Sequence, residues 1–247
     1  MAGNVDMVCD VCSAMFAREY LSVVSRWARQ QLRTEVQSSV DRRRLRQLIE
    51  AAFEVFSDTG LEGARLDEIA RRAGVSKGTI YLYFTSKEEL FRAVVEAKVI
   101  SVIEAAEQDA ERRAHEELHG VDDLRRYMTM QWNHLRSPTY LAMYRLVHAE
   151  LHHFPDLMRF YGNEVVERSL RLTASLIARG IARGDFVASD PLVNARLLTS
   201  LLLTHALWYE RRTLFDSSMS DCADTVRDSV IEFALRSLVP PHGAATP

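Results

Sequence analysis

The stretch ARRAGVSKGTIYLYFTSKEEL, Ala70 to Leu90, decides how the chain is read. Gly74 closes one short segment, and Ser76 opens another that carries Lys77, Thr79, Tyr81 and Tyr83 on barely two helical turns. Ser76 has the hydroxyl that an N-cap requires, while Ile80 and Phe84, four residues apart, share a face and predict attachment to a core. Lys77, Thr79, Tyr81, Leu82 and Tyr83 are left for the remaining surface.

Two short helices joined by a glycine-bearing turn make a helix-turn-helix unit, whose second helix lies in the major groove of DNA. Lys77 suits a phosphate or the acceptor edge of guanine, Thr79 and Tyr83 suit phosphate oxygens, and the Tyr81 ring suits a thymine methyl. Gly78 lets the backbone approach the duplex. Lys87 begins the next helix, where free amides attract a phosphate, and Arg65 could reach the opposite wall of the groove. A tyrosine pair also suits a packed surface, and residue chemistry alone leaves both readings open.

Outward from this stretch, the front of the chain is finely divided and the back is coarse. Leu45, Leu48, Ile49, Ala52 and Phe56 recur at helical steps from Asp41 to Thr59, with Gly60 as the expected stop. A second helix is expected over Leu66 to Ala73, a third from Ser76 to Phe84, and a long one from Lys87 to Arg113. Ser86 with Glu89 has the spacing of a capping box. Further helices are expected at about Asp122 to Arg136, Pro138 to His153, Pro155 to Arg183, Asp190 to Phe215 and Ser220 to Leu238. Pro138 and Pro155 suit first turns. No period-two segment is found, so the expected fold class is all-α. Residues 1–40 are read as an extension, plausibly helical from Ser13 to Val36.

Composition narrows the function. A chain of 247 residues with net charge −3 accommodates a small domain and a larger one, and is not coated in positive potential. Residues 41–99 carry eleven basic groups against ten acidic, and 100–247 carry sixteen against twenty. Phosphate affinity must therefore come from local placement, including Arg42-Arg43-Arg44-Leu45-Arg46, and should fall steeply with salt. Three cysteines, Cys9, Cys12 and Cys222, suit a reducing cytoplasm. No apolar stretch approaches the roughly 20 residues that span a bilayer.

The segment LIEAAFEVFSDTGLEGARLDEIARRAGVSKGTIYLYFTSKEELFRAVV resembles the N-terminal domain of the TetR family of bacterial transcriptional regulators, over about Arg42 to Val102. The resemblance implies a dimeric, cytoplasmic repressor with a three-helix head at 41–102. A C-terminal bundle at 103–247 would house a small-molecule inducer and the dimer interface. Operator contacts implied by position are Ser76, Lys77, Gly78, Thr79, Tyr81, Leu82, Tyr83 and Lys87. Arg65 stands where members carry threonine or serine, which would lose a cap worth roughly 1 kcal/mol.

Farther back, Met128, Trp132, Tyr140, Tyr144 and His148 are candidate walls of an apolar pocket, though most would be ordinary core in any bundle. Leu197, Leu201, Thr204, Trp208, Ile231 and Leu235 are candidates for a dimer bundle. Such a dimer would hold two recognition helices about 34 Å apart on a palindromic operator. A lone CxxC at Cys9 and Cys12, and His148, His152, His153 and Glu150, define no tetrahedral ligand set, so neither metal nor cofactor is expected. No nucleophile elbow or triad is visible and no enzyme is expected. The alternative is a helical small-molecule or partner-binding protein that has lost operator function.

Overall fold

The computed structural model describes residues 43–114, 120–212 and 222–240. The expectations for residues 1–40, including Cys9 and Cys12, lie outside them, as does Arg42. The chain divides after Glu50 into two units, and of the first only 43–50 are described, all helical. The second, Ala51–Pro247, holds the remaining helices. Among the described residues there is no strand, as an all-α fold requires.

Residues 43–63 are helical (α1). The expected stop at Gly60 is therefore displaced. Gly60 takes the left-handed conformation, φ 74°, yet one more turn follows it, because the Glu150 carboxylate accepts from the Glu62 amide at 3.1 Å and satisfies that turn's start. Leu66–Arg72 (α2) and Lys77–Tyr83 (α3) follow, with Gly74 left-handed at φ 68° between them. Lys87–Val95 (α4), a wider π-type turn at Glu96–Ile100 and Ser101–Arg113 (α5) run on without a break in helical backbone angles. The apolar series Leu90, Phe91, Val94 and Val95 buries one face of this rod at its start, with Phe91 edge-on to Phe56 at 6.0 Å.

The bundle comprises Gly120–Leu135 (α6), Pro138–Glu150 (α7), Pro155–Tyr161 (α8), Arg168–Arg183 (α9), Pro191–Glu210 (α10) and Ala223–Arg236 (α11). Starts and stops follow from local chemistry. Pro138, Pro155 and Pro191 all occupy first turns, and the Ser137 hydroxyl accepts from the Tyr140 amide. Asp190 accepts from Leu192 and Val193, and Gly184, at φ 81°, ends α9. The expected helix from Pro155 to Arg183 is interrupted only by a π-type turn at Gly162–Glu167.

One core joins α5, α6, α9, α10 and α11 through Leu124, Trp132, Ile177, Ala195, Ala206, Ile231 and Leu235. Buried charge reinforces it. Arg113 and Asp123, both almost wholly buried, form an ion pair. Arg113 also meets Asp109 at 2.8 Å and Arg179 meets Asp123 at 3.0 Å. The group ties α5, α6 and α9 together, and removing Asp123 would leave the buried Arg113 with Asp109 alone.

Gly180 marks the closest packing. A Cβ there would collide with the buried ring of Phe186. Gly180→Ala should destabilise the protein by about 1–3 kcal/mol, outweighing alanine's helix preference, and lower the melting temperature by several degrees. Gly162→Ala, with no atom within 4 Å of its Cβ position, should change stability by less than about 1 kcal/mol.

Candidate nucleic-acid interface and effector cavity

Seven residues are too few for a helix that stands alone, so α3 owes its shape to its ends and its buried side. Ser76 Oγ accepts from the Thr79 amide at 3.2 Å and meets the Thr79 hydroxyl at 2.8 Å. Ile80 is fully buried and Phe84 nearly so. Held by these two, the outer surface shows Tyr81 at 50 % and Leu82 at 82 % exposure, with Lys77 and Gly78 exposed and Thr79 and Tyr83 half-buried. A leucine so exposed on a short helix suits apolar contact with a partner surface better than solvent.

The cations around α3 fall into two groups. Arg71 pairs with Glu68 at 2.5 Å and Arg72 with Asp58 at 2.7 Å, so both brace the head. Arg65 occupies the N-cap of α2 without a side-chain cap bond and is exposed, since a guanidinium has no acceptor to offer the first-turn amides. Lys77 lies on Asp67 at 2.9 Å, and this hydrogen bond raises its pKa. The ammonium stays a cation beside the recognition surface and, with three donors, can turn one toward a phosphate while Asp67 holds it. Lys87 donates to the Glu62 carbonyl at 2.7 Å and lies 6.0 Å from the Phe154 ring. The Ser86 cap accepts from Glu89 as expected, but the Glu89 carboxylate reaches back to the amide and hydroxyl of Thr85 rather than to Ser86.

Behind the head, a cavity of about 330 Å³ opens between α5, α6, α7, α9 and α10, near the lower end of the roughly 300–1,000 Å³ usual for ligand sites. Of the five sequence candidates, Met128, Tyr140, Tyr144 and His148 line it. Trp132 does not. Its ring is fully buried in the core beside Tyr209, 6.5 Å between centroids, because its position on α6 points toward α10. Residues that periodicity did not single out complete the wall, notably His134, Tyr161, Tyr127, Gln131, Thr173 and Arg196.

The polar equipment of the cavity is almost entirely neutral. Tyr127 accepts from Gln131 at 2.6 Å and shares a hydrogen bond with Thr173 at 3.2 Å. Burial raises the pKa of Tyr140 far above the ordinary phenol value and pushes Tyr161 up to about 12, so both remain hydroxyl donors. His134 packs edge-on against Tyr140 at 5.1 Å, and burial lowers its pKa. Among the described residues, Arg196 is the lining residue with a permanent charge, and no carboxylate lines the space.

The dimer candidates separate by exposure. Leu197, 63 % exposed, and the exposed Trp208 lie on the outer side of α10, with Leu201 and Thr204 half-buried between them. Ile231 and Leu235 are 1 % and 2 % exposed and belong to the protomer's own core, so they offer no surface to a partner. Phe233, 68 % exposed, is the outward apolar residue of α11. Val193 extends the α10 stripe by the same four-residue step, a signal present in the sequence; an isolated phenylalanine carries none. Among the described residues no group of three or more His, Cys, Asp or Glu could hold a metal ion, and no helix is long and apolar enough to cross a membrane.

Two family profiles match the chain: bacterial regulatory proteins of the tetR family over residues 48–94, and the C-terminal domain of AefR-like transcriptional repressors over 122–237. The fatty acid metabolism regulator protein of Bacillus subtilis is 29% identical over 139 residues, 56% of this chain and 69% of that one. Several other curated regulators match over the head alone, and the chain spans 21–38% of their lengths. Among solved structures, a protein of Mesorhizobium loti assigned to TetR-family transcriptional regulators has a TM-score of 0.66 at 27% identity, over 80% of this chain and 98% of that one. FadR of B. subtilis in complex with stearoyl-CoA has a TM-score of 0.62 at 23% identity, over 77% and 97%.

The buried imidazole gives the cavity a pH signature. With its folded pKa below the unfolded value of about 6.5, His134 favours the folded state fully above that value. This contribution diminishes as pH falls below about 6.5 and is gone once pH is below the folded pKa, because the unfolded chain takes up the proton first. His134→Gln should flatten the loss of melting temperature between pH 7.5 and 5.5 relative to the parent, measured by calorimetry.

Proposed function

The chain belongs to the tetR family of bacterial regulatory proteins, which are DNA-binding transcriptional regulators, and on that premise we propose a dimeric repressor that leaves its operator when an apolar effector enters the cavity. The observation that carries the reading is α3: anchored by Ile80 and Phe84, it presents Tyr81, Leu82 and Lys77 outward on its exposed surface. Residues 41–102 act as the head and 103–247 as the effector and dimer body, in a cytoplasmic protein with no catalytic role. Arg65, Ser76, Thr79 and Tyr83 take the backbone, with Tyr81 and Leu82 directed at base edges.

The outer stripe of α10, from Val193 through Leu197, Leu201 and Thr204 to Trp208, joined by Phe233, is the surface on which a second copy packs. Apart from Thr204 it is apolar, with Val193, Leu197 and Trp208 exposed and Leu201 and Thr204 half-buried at helical spacing. Twofold symmetry then pairs two α3 helices for a palindromic operator. The effector is an apolar molecule with an oxygen-bearing or anionic head group. Apolar walls, neutral phenols and one arginine without a carboxylate favour that charge, and the FadR structure holds stearoyl-CoA in the same fold. Effector binding favours a dimer whose heads no longer match successive grooves, so release follows from differential affinity for two states.

Two measurements check this. Tyr81→Ala should weaken binding to DNA selected from genomic fragments at least tenfold without altering the melting temperature; undiminished binding would refute the operator reading. Saturating long-chain acyl-CoA should lower operator affinity at least tenfold and raise the melting temperature. Equal affinity with and without it would remove this ligand class and leave DNA binding standing.

A further inference from the structure

The main chain of Glu62, in the last turn of α1, is held on both sides of its Cα. Its amide donates to the Glu150 carboxylate at 3.1 Å, and its carbonyl accepts from Lys87 Nζ at 2.7 Å. Glu150 ends α7, two residues beyond His148, whose ring lies 3.8 Å from that of Tyr144 in the cavity wall. Lys87 begins α4 beside the recognition helix. The helix that borders the cavity thus reaches, through the main chain of one residue, the cation at the edge of the head.

Gly60 shows that the approach is built into the chain. Its left-handed φ of 74° brings the backbone so close to Glu150 that a Cβ would stand 2.7 Å from a carboxylate oxygen. The carboxylate therefore occupies the space that any side chain at position 60 would need.

We propose that Glu150 is a positioning residue for operator binding: by anchoring the main chain at Glu62 it sets the direction of Lys87, and so gives α7 a hold on a phosphate contact made by the head. An ammonium has three donors, so Lys87 keeps two for a phosphate while the Glu62 carbonyl fixes its placement. An effector that displaces Tyr144 and His148 moves Glu150 with them and shifts Lys87. The inference rests on the operator reading above and adds a named residue for its regulation.

The test uses the full chain and a genomic fragment bound by the parent protein. Glu150→Ala should weaken binding about fivefold, within the usual range for coupling residues that touch neither ligand. It should also reduce the slope of log affinity against log salt by about one per head, as loss of a phosphate contact does. Lys87→Met should show the same loss of slope, and the double variant should bind no more weakly than Lys87→Met alone. Glu150→Gln, which can still accept from the Glu62 amide, should recover most of the affinity. An unchanged slope in Glu150→Ala, or additive losses in the double variant, would overturn the proposal. If the parent binds no fragment, the operator reading itself falls. Hydrogen exchange then decides the link: Glu150→Ala should speed exchange at the Glu62 amide and at the start of α4 while α10 and α11 stay unchanged, and unaltered exchange at Glu62 would overturn it.

Discussion

The attachment of α3 through Ile80 and Phe84 is the constraint on which the rest of the molecule depends. A two-turn helix cannot hold its own geometry in water, and its caps, Ser76 at one end and Phe84 at the other, are local. What fixes the direction of Tyr81 and Leu82 is the burial of the opposite face. The reading surface is therefore only as well placed as the small core beneath it, and that core is continued by Phe56, Leu90 and Phe91 into the start of the long rod.

The rod runs from the DNA-facing edge into the wall of the cavity. Val99, Val102, Ile103 and Ala106 line the same space as Tyr140 and Tyr161, so the rod that starts at Lys87 is also a wall of the cavity. A second link runs across Arg92, whose guanidinium lies 4.6 Å from the Phe160 ring and donates to the Asp156 carbonyl at 3.4 Å. Head and cavity are coupled through packed and hydrogen-bonded elements rather than by a flexible tether. A change of a few tenths of an ångström in the wall has somewhere to go.

Much of this was legible in the residues. Helical periodicity, the serine caps and the first-turn prolines placed most elements, and the composition of α3 distinguished its anchors from its outward residues. The exceptions share a cause. Trp132, Ile231 and Leu235 lie on helices with apolar residues on more than one side, and periodicity identifies an apolar face without saying whether it meets its own protomer, a ligand or a second copy. Gly60 is similar. Its glycine signalled a left-handed residue, but continuation of the helix depended on a carboxylate 90 positions away. Lys77 and Lys87 were recognisable as cations near the recognition helix, while their partners, Asp67 and the Glu62 carbonyl, were visible only once the chain was folded.

By itself, then, the sequence determined the all-α class, the helix-turn-helix head and the outward residues of α3, because caps, glycine turns and a 3.6-residue period are local and act wherever the chain is placed. Tertiary structure decided which apolar residues remain exposed, which polar groups share the cavity, and that Glu150 and Lys87 meet at the main chain of one residue, Glu62. These depend on how separate helices cross, and distance along the chain carries no information about it.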